Sequence, residues 1–124
     1  MMGYEIIRYI AYLKPKVIGI ENVPEFKKWA PLSKEGQPDK TRTGEEFEKW
    51  KKTICDLGYT YTESIRNAAD DGMPTRRVRY FAFFVSTILD VDIEWPEYSH
   101  NKKGDAGMAK WVPCRNFLDL DNEG

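Results

Sequence analysis

The amino-acid sequence predicts an α/β fold in which a helix, a strand, a second helix and two further strands follow one another. Three observations carry this prediction. Apolar residues recur at helical spacing near the N-terminus and again at residues 47–54. A short, almost wholly apolar run occupies residues 16–20, and residues 78–85 are rich in aromatic and β-branched side chains, which favour strands. Helices that alternate with buried strands are typical of α/β proteins.

The first predicted helix spans Met2–Leu13, where the apolar residues share one face. Pro15 ends this helix, because a residue that precedes proline is disfavoured in the helical conformation. Residues 16–20 then predict a strand that is covered on both faces, as strands of parallel sheets are. Ligands of open α/β sheets collect at the carboxyl ends of such strands, so residues 21–26 are candidates for a functional site.

A polar stretch that contains two prolines and a glycine, residues 27–43, predicts a surface loop. A second helix begins at Thr43 or Gly44, and Gly58 ends it, because glycine is common just beyond a helix C-terminus. The inner face of this helix is predicted to carry Phe47, Trp50, Lys51 and Ile54.

Two more strands complete the predicted sheet. Residues 59–65 alternate aromatic or apolar with polar side chains, and residues 78–85 form a strongly β-prone run. A turn at residues 71–74 lies between them, so we expect the two strands to be antiparallel neighbours. Residues 90–124 differ from the rest, and we interpret them as a weakly structured extension in which a short helix at residues 115–120 would fit.

Composition narrows the class of protein. The chain has 124 residues, the size of one small domain, and a net charge of -1, which argues against an autonomous DNA-binding domain with a large basic excess. Cys55 and Cys114 are far apart and His100 is the single histidine, so neither a zinc site nor a disulfide framework is predicted. No signal peptide and no apolar run of membrane length is found. We therefore expect an intracellular protein without a membrane partner.

Two segments together carry a family resemblance. Residues 14–23 read Lys-Pro-Lys-Val-Ile-Gly-Ile-Glu-Asn-Val, and residues 67–79 read Asn-Ala-Ala-Asp-Asp-Gly-Met-Pro-Thr-Arg-Arg-Val-Arg. They resemble the strand ending in Glu-Asn-Val and the Asn-Ala-x-x-x-Gly-x-Pro-Gln-x-Arg-x-Arg motif of cytosine-5 DNA methyltransferases, with Thr75 in place of the glutamine. A weaker third segment, which is similar to the approach to the family's target-recognition region, comprises Ser99, His100, Trp111, Arg115, Leu118 and Asp119.

The resemblance covers Tyr4 to about Asp121 and implies a fold and a reaction. The implied fold is a partial Rossmann-like sheet of S-adenosylmethionine-dependent methyltransferases. Residues 1–89 would form the C-terminal half of the catalytic domain, and residues 90–124 would lead toward the target-recognition region. The implied reaction transfers a methyl group from S-adenosyl-L-methionine to carbon 5 of a cytosine that is flipped out of duplex DNA.

By resemblance, two residues are catalytic. Glu21 would share a proton with ring nitrogen N3 while a cysteine thiolate adds to carbon 6 of the cytosine. Desolvation at the end of a buried strand would favour the protonated acid. Arg79 would reach the flipped base and a nearby phosphate with its planar guanidinium. The alternative for Glu21 is a solvent-facing glutamate at a strand end.

Supporting roles fall to four neighbours. The resemblance implies that Asn22, next to Val23, braces the loop that bears the nucleophile; a simple turn residue is the alternative. Arg77 would support the catalytic loop. Arg76 would contact a phosphate or remain solvated.

Residues 113–117, Pro-Cys-Arg-Asn-Phe, are similar to the family's nucleophile motif Pro-Cys-Gln-x-Phe. In the family, however, that motif precedes Glu-Asn-Val, whereas here it follows. We therefore expect Cys114 to be a partly buried, unreactive thiol, and a permuted enzyme is the alternative. No Phe-x-Gly-x-Gly sequence occurs, so no cofactor-binding residue and no metal ligand is assigned in this chain.

The sequence thus predicts a fragment or subunit that is inactive alone and acts on duplex DNA together with a second polypeptide or a missing N-terminal half. We expect it in the cytoplasm of a bacterium or in a phage-infected cell, near the nucleoid. The apolar strand at residues 16–20 would expose an edge, which predicts self-association. A non-catalytic remnant or regulatory subunit, and an unrelated α/β domain with accidental motifs, are the alternatives.

Overall fold

The computed structural model describes residues 2–118, which group into two compact units. The first unit comprises the described residues up to Ser64 together with Tyr80–Ile93, and the second comprises Ile65–Arg79 together with the described residues from Glu94 onward. The predicted division into residues 1–89 and 90–124 remains a prediction about function. Packing instead groups the described tail from Glu94 onward with the segment Ile65–Arg79, which contains the turn before the last long strand.

The order of the main elements confirms the predicted helix-strand-helix-strand-strand arrangement. The elements are α1 (Met2–Leu13), β1 (Val17–Asn22), α2 (Glu45–Asp56), β2 (Tyr59–Asn67) and β3 (Val78–Ser86). Two very short strands follow, β4 (His100–Asn101) and β5 (Ala109–Lys110). No helix within residues 2–118 is both long and apolar enough to cross a bilayer.

The three long strands form one sheet in the order β1-β3-β2. Strand β1 runs antiparallel to β3, with Val17 opposite Val85 and Asn22 opposite Tyr80. Strands β2 and β3 are also antiparallel, because the start of each lies beside the end of the other. The Thr87 amide, just after β3, donates to the Gly58 carbonyl, just before β2, at 2.9 Å. The Ala68 amide, just after β2, donates to the Arg77 carbonyl, just before β3, at 3.0 Å. The predicted antiparallel pairing of the last two strands is therefore confirmed.

The prediction that β1 is covered on both faces is wrong for this chain. Ile18 is buried, but Val17 is 46% exposed and Gly19 and Glu21 are exposed as well. Both helices pack on one face of the sheet, where Ile10 and Trp50 join Ile18 in the core. An antiparallel strand with one covered face alternates between buried and exposed residues, and β1 does so.

The core of the first unit is largely aromatic. Phe47, Trp50 and Ile54 are buried on the inner side of α2, as predicted, and the half-buried Lys51 holds its ammonium over the Phe47 and Tyr61 rings. The Trp50 indole nitrogen donates to the Gly3 carbonyl at 2.7 Å, which ties α2 to α1. The predicted loop at residues 27–43 contains a short 3-10 helix, Lys40–Arg42.

The second unit is organised by a buried arginine. Arg66 is only 7% exposed, pairs with Asp71 and donates to the Pro96 carbonyl at 2.9 Å. Its guanidinium carbon also lies 4.3 Å from the centre of the Tyr98 ring. These contacts hold the tail against the end of β2. The short helix expected at residues 115–120 is a 3-10 helix at Cys114–Phe117, and its predicted last residues lie outside the described range.

Candidate functional site

The Glu-Asn-Val sequence lies at the end of β1 and runs directly into a tight turn. Glu21 is opposite Phe81 in the sheet, and Asn22 is opposite Tyr80. The Asn22 side-chain oxygen accepts a 2.8 Å hydrogen bond from the Val23 amide, and the Val23 carbonyl accepts one from Phe26 at 3.0 Å. A 3-10 helix, Pro24–Lys28, starts here with proline in its first turn, where the missing amide proton costs nothing. The strand end is therefore held by the Asn22 side chain and by the backbone of the turn.

Glu21 belongs to the exposed residues of β1. Its neighbours Ile20 and Asn22 alternate with it and are half-buried, because they point toward the helices. The described residues thus do not supply the burial that the sequence predicts around the Glu21 carboxyl. They present this carboxyl on the uncovered face of the sheet, where a bound molecule can reach it.

The turn after Glu-Asn-Val is anchored at two points. Phe26 packs against Trp50, with ring centres 5.2 Å apart, and against Trp29 at 5.7 Å. Lys27 forms an ion pair with Glu63 of β2. The turn is therefore attached to α2 and to β2, although no local sequence pattern indicates the link to residue 63.

Glu63 is the centre of a part-buried polar network. Burial alone would raise the pKa of Glu63, but the hydrogen bonds from Lys27 and Tyr61 outweigh it and hold that pKa below its ordinary value. The Tyr61 hydroxyl also lies 2.8 Å from the Tyr80 hydroxyl. Burial raises the pKa of Tyr80 to about 12, so the network carries one carboxylate and two neutral phenols at neutral pH.

An open cavity of about 410 Å³ adjoins the Glu-Asn-Val turn within the first unit. Its lining residues are Gly3, Asn22, Val23, Glu25, Phe26 and Trp29. The cavity is mostly apolar, and the Trp29 ring would lie only 2.9 Å from a Cβ atom added at Gly3. A side chain larger than hydrogen at position 3 would therefore displace the tryptophan that forms one wall.

The three predicted arginines lie in the second unit. Arg76 and Arg77 are exposed on the segment before β3, and Arg79 is half-buried within β3. The Arg79 guanidinium donates to the Val78 carbonyl at 2.8 Å. Along the chain Arg79 precedes Phe81, the partner of Glu21, by two residues. Strand β3 thus contains both Arg79 and Phe81.

In the turn that carries the second motif, the local geometry explains why Asn67 and Gly72 are present. The Asn67 side chain accepts a hydrogen bond from the Ala69 amide at 3.3 Å and begins a 3-10 helix, Ala68–Asp71. Gly72 ends that helix with a φ of 88°, a conformation that other residues rarely adopt. A Cβ atom there would lie 2.8 Å from the His100 ring. Thr75, which replaces the family's glutamine, is exposed.

A larger groove of about 540 Å³ lies within the second unit, and we call it the tail groove. Its lining residues are Ala69, Met73, Pro74, Thr75, Arg76, Lys102, Lys110, Trp111, Val112, Pro113, Cys114 and Arg115. The sequence did not predict this groove, because its lining residues come from three separate segments of the chain. The one sequence signal for it was the presence of Trp111 and Arg115 in the third segment of the family resemblance.

Cys114 is exposed, not partly buried as the sequence suggested. It begins the 3-10 helix Cys114–Phe117, and the preceding strand β5 has only two residues. Cys55 is half-buried, and burial raises the pKa of its thiol. Within residues 2–118, no three histidine, cysteine, aspartate or glutamate side chains come close enough together to hold a metal ion.

Comparison with known proteins finds a matching family model and similar proteins. A sequence model of the family described as C-5 cytosine-specific DNA methylase matches residues 1–111. The type II methyltransferase M.Sau3AI of Staphylococcus aureus is 36% identical over 83 residues, which make up 67% of this chain and 18% of that protein. A prophage-encoded E. coli protein that bears the name DNA modification methyltransferase aligns with a TM-score of 0.48 and 26% identity, over 71% of this chain and 22% of that structure. The chain thus spans about a fifth of the length of these relatives.

Proposed function

Because the chain belongs to the family of C-5 cytosine-specific DNA methylases, we propose that it forms one wall of the cytosine site of such an enzyme. The complete enzyme transfers a methyl group from S-adenosylmethionine to carbon 5 of a cytosine flipped out of duplex DNA. The observation that carries the proposal is the position of Glu21 at the end of β1, directly before a turn that is held by hydrogen bonds from the Val23 amide to the Asn22 side-chain oxygen and from the Phe26 amide to the Val23 carbonyl.

In this proposal Glu21 is the acid of the reaction. When a thiolate adds to carbon 6, negative charge develops on the ring and spreads to N3. A carboxylic acid at hydrogen-bond distance donates its proton there and lowers the barrier. Glu21 is exposed in the described residues, so a flipped base can approach its carboxyl.

Arg79 holds the base and an adjoining phosphate in position. Its planar guanidinium donates several parallel hydrogen bonds, which suit a cytosine carbonyl and a phosphate better than a lysine would. Asn22 and Val23 keep the strand end in register for the nucleophile loop, and Arg77 steadies that loop. Arg76 contacts the DNA backbone.

Residues 2–118 do not form a recognisable binding site for S-adenosylmethionine. The sequence contains no Phe-x-Gly-x-Gly segment, and residues 2–118 hold no glycine-rich loop that follows a strand and opens a helix. We therefore assign the methyl donor and the nucleophile to another segment or polypeptide, and the chain alone is inactive. We propose that the chain acts in the cytoplasm of a bacterium or of a phage-infected cell, near the nucleoid.

The experiment that tests this role is complementation. The purified chain is mixed with a polypeptide that carries the Phe-x-Gly-x-Gly and Pro-Cys-Gln motifs, and transfer of a labelled methyl group to duplex DNA is measured. We expect activity only in the mixture, and a loss of roughly 10²–10⁴-fold for Glu21→Gln. Glu25→Gln is the matched control, since Glu25 is another exposed carboxylate four residues away. Equal activity of the two variants would remove Glu21 from the mechanism.

A second candidate function is that of an interaction subunit without chemistry. The observation that favours it is the edge position of β1 in the sheet of the described residues, with Val17 46% exposed. An unpaired edge of this kind binds a strand of another chain or of a second copy. Size-exclusion chromatography with light scattering distinguishes these outcomes: a stable monomer at high concentration, and no complex with the complementing polypeptide, would count against this function.

A further inference from the structure

The tail groove carries an unusual concentration of positive charge. Four of its lining residues are cationic, namely Arg76, Lys102, Lys110 and Arg115, and no carboxylate is among the described residues that line it. The chain as a whole has a net charge of -1, so a general basic excess does not explain this surface. All four side chains are exposed and can reach a ligand. The groove therefore attracts anions.

Three acidic residues close to the groove in sequence are already engaged, and one of them, Asp71, pairs with Arg66. Asp70 accepts a 2.7 Å hydrogen bond from the Trp111 indole nitrogen. Asp105 accepts a hydrogen bond of 2.8 Å from the Asn101 side chain. Because the carboxylates of Asp70 and Asp105 accept hydrogen bonds from groups of the tail itself, they position the walls of the groove.

The walls are organised before any ligand binds. The Asn101 side-chain oxygen accepts amide hydrogen bonds from Lys103 at 3.0 Å and Gly104 at 2.6 Å, which closes the loop that starts with Lys102. The Trp111 amide donates to the Asn101 carbonyl at 3.0 Å, which places Lys110 beside this loop. A site whose groups are already in place loses less conformational entropy on binding.

The floor of the groove is apolar. Its lining residues include Trp111, Val112, Pro74 and Pro113. The Arg76 guanidinium carbon lies 6.0 Å from the centre of the Trp111 ring, so the cation is held near the floor. A strand of nucleic acid offers the matching surface, because it alternates phosphate anions with largely apolar sugar rings.

We propose that the tail groove binds the sugar-phosphate backbone of a DNA strand, with Lys102, Lys110 and Arg115 each contacting a phosphate. This inference rests on the proposed function, since it assumes that DNA is the substrate, and adds a backbone contact that lies in the second unit. Phosphate contacts fix the register of a protein on the duplex without reading its sequence. The groove thus positions the DNA and leaves base recognition to other residues.

The test measures how binding of the full chain to a short fluorescein-labelled DNA duplex depends on salt. Each phosphate contact contributes about 0.9 to the slope of the logarithm of affinity against the logarithm of salt concentration. We expect the triple variant Lys102→Gln, Lys110→Gln, Arg115→Gln to reduce the size of that slope by about 2 to 3. The control variant Lys34→Gln, Lys40→Gln, Lys49→Gln removes the same charge from exposed positions of the first unit and should keep the slope.

Two results would overturn the proposal. One is a wild-type chain that shows no salt-dependent binding to the duplex, and the other is an equal slope in the groove variant and the control. Circular dichroism of both triple variants establishes that they are folded. The result is separable from the complementation experiment, because Glu21→Gln should lower methyl transfer by roughly 10²–10⁴-fold and leave the salt slope unchanged. Normal binding with no methyl transfer in any mixture would reject the proposed function and retain the groove.

Discussion

The Asp70 carboxylate accepts a 2.7 Å hydrogen bond from the indole nitrogen of Trp111, which lies 41 residues later in the chain. The Asp70 backbone carbonyl also accepts a hydrogen bond of 3.1 Å from the Ser99 amide. One residue of the motif turn therefore fixes the tail at two places. The tail groove depends on this contact, because Trp111 forms its floor.

Replacing Asp70 with alanine should loosen the second unit. The part-buried Trp111 indole nitrogen would lose its acceptor, and we expect a loss of about 1–3 kcal/mol in the free energy of unfolding of that unit. Urea denaturation, monitored by tryptophan fluorescence, measures this change in the free energy of unfolding. Asp92→Ala serves as the control, since Asp92 is exposed and lies outside this turn. Unchanged stability in Asp70→Ala would show that the hydrogen bond does not anchor the tail.

Gly72→Ala should destabilise the same unit for a steric reason. Its φ of 88° is strained for alanine, and the new Cβ would meet the His100 ring at 2.8 Å. The expected cost exceeds about 1 kcal/mol. Gly107→Ala is a close control, because Gly107 has a φ of 78° and no atom within 4 Å of the added Cβ. If both variants lose the same stability in thermal unfolding, backbone strain alone accounts for the effect and the His100 contact does not.

Glu63→Gln should weaken the anchor of the Glu-Asn-Val turn at neutral pH. The folded-state pKa of Glu63 lies below its ordinary value of 4.5, so its charged form stabilises the fold. That contribution is complete above the ordinary pKa and disappears as the pH falls through the lower folded value. We expect the variant to lose roughly 1–3 kcal/mol near pH 7 and to lose less further stability on acidification than wild type. Denaturation curves at several pH values, with Glu25→Gln as control, measure this. Parallel pH profiles for Glu63→Gln and wild type would contradict the ionised network.

Arg79→Lys should impair methyl transfer in the complemented enzyme while keeping the charge. Lysine has no planar fork of donors, and loss of one charged hydrogen bond costs about 1.5–3 kcal/mol, so kcat/KM should fall about 10–100-fold. Arg76→Lys, three residues earlier on the exposed approach to β3, should stay close to wild type. Steady-state kinetics with duplex DNA measures both variants. A larger loss in Arg76→Lys than in Arg79→Lys would exchange the roles proposed for these two residues.

Local patterns in the sequence were sufficient for the order of the elements. Hydrophobic spacing indicated both helices and three strands, because each periodicity reflects burial of one face of a single element. The same patterns placed Glu21 at a strand end, Gly72 in a turn and Arg79 at the start of β3, and all three positions are found there. The motifs that matched the family lie in these same segments.

Other features of the site depend on contacts between distant residues, which leave no local signal. The position of β3 between β1 and β2, and with it the single covered face of β1, decided that Glu21 is exposed. The links from Lys27 to Glu63 and from Asp70 to Trp111 join residues 36 and 41 positions apart. The sequence by itself therefore determined the elements, the motif positions and the family. Only the tertiary structure decided which faces are covered and which cations share a groove, because strand order and side-chain pairing arise when separate segments pack together.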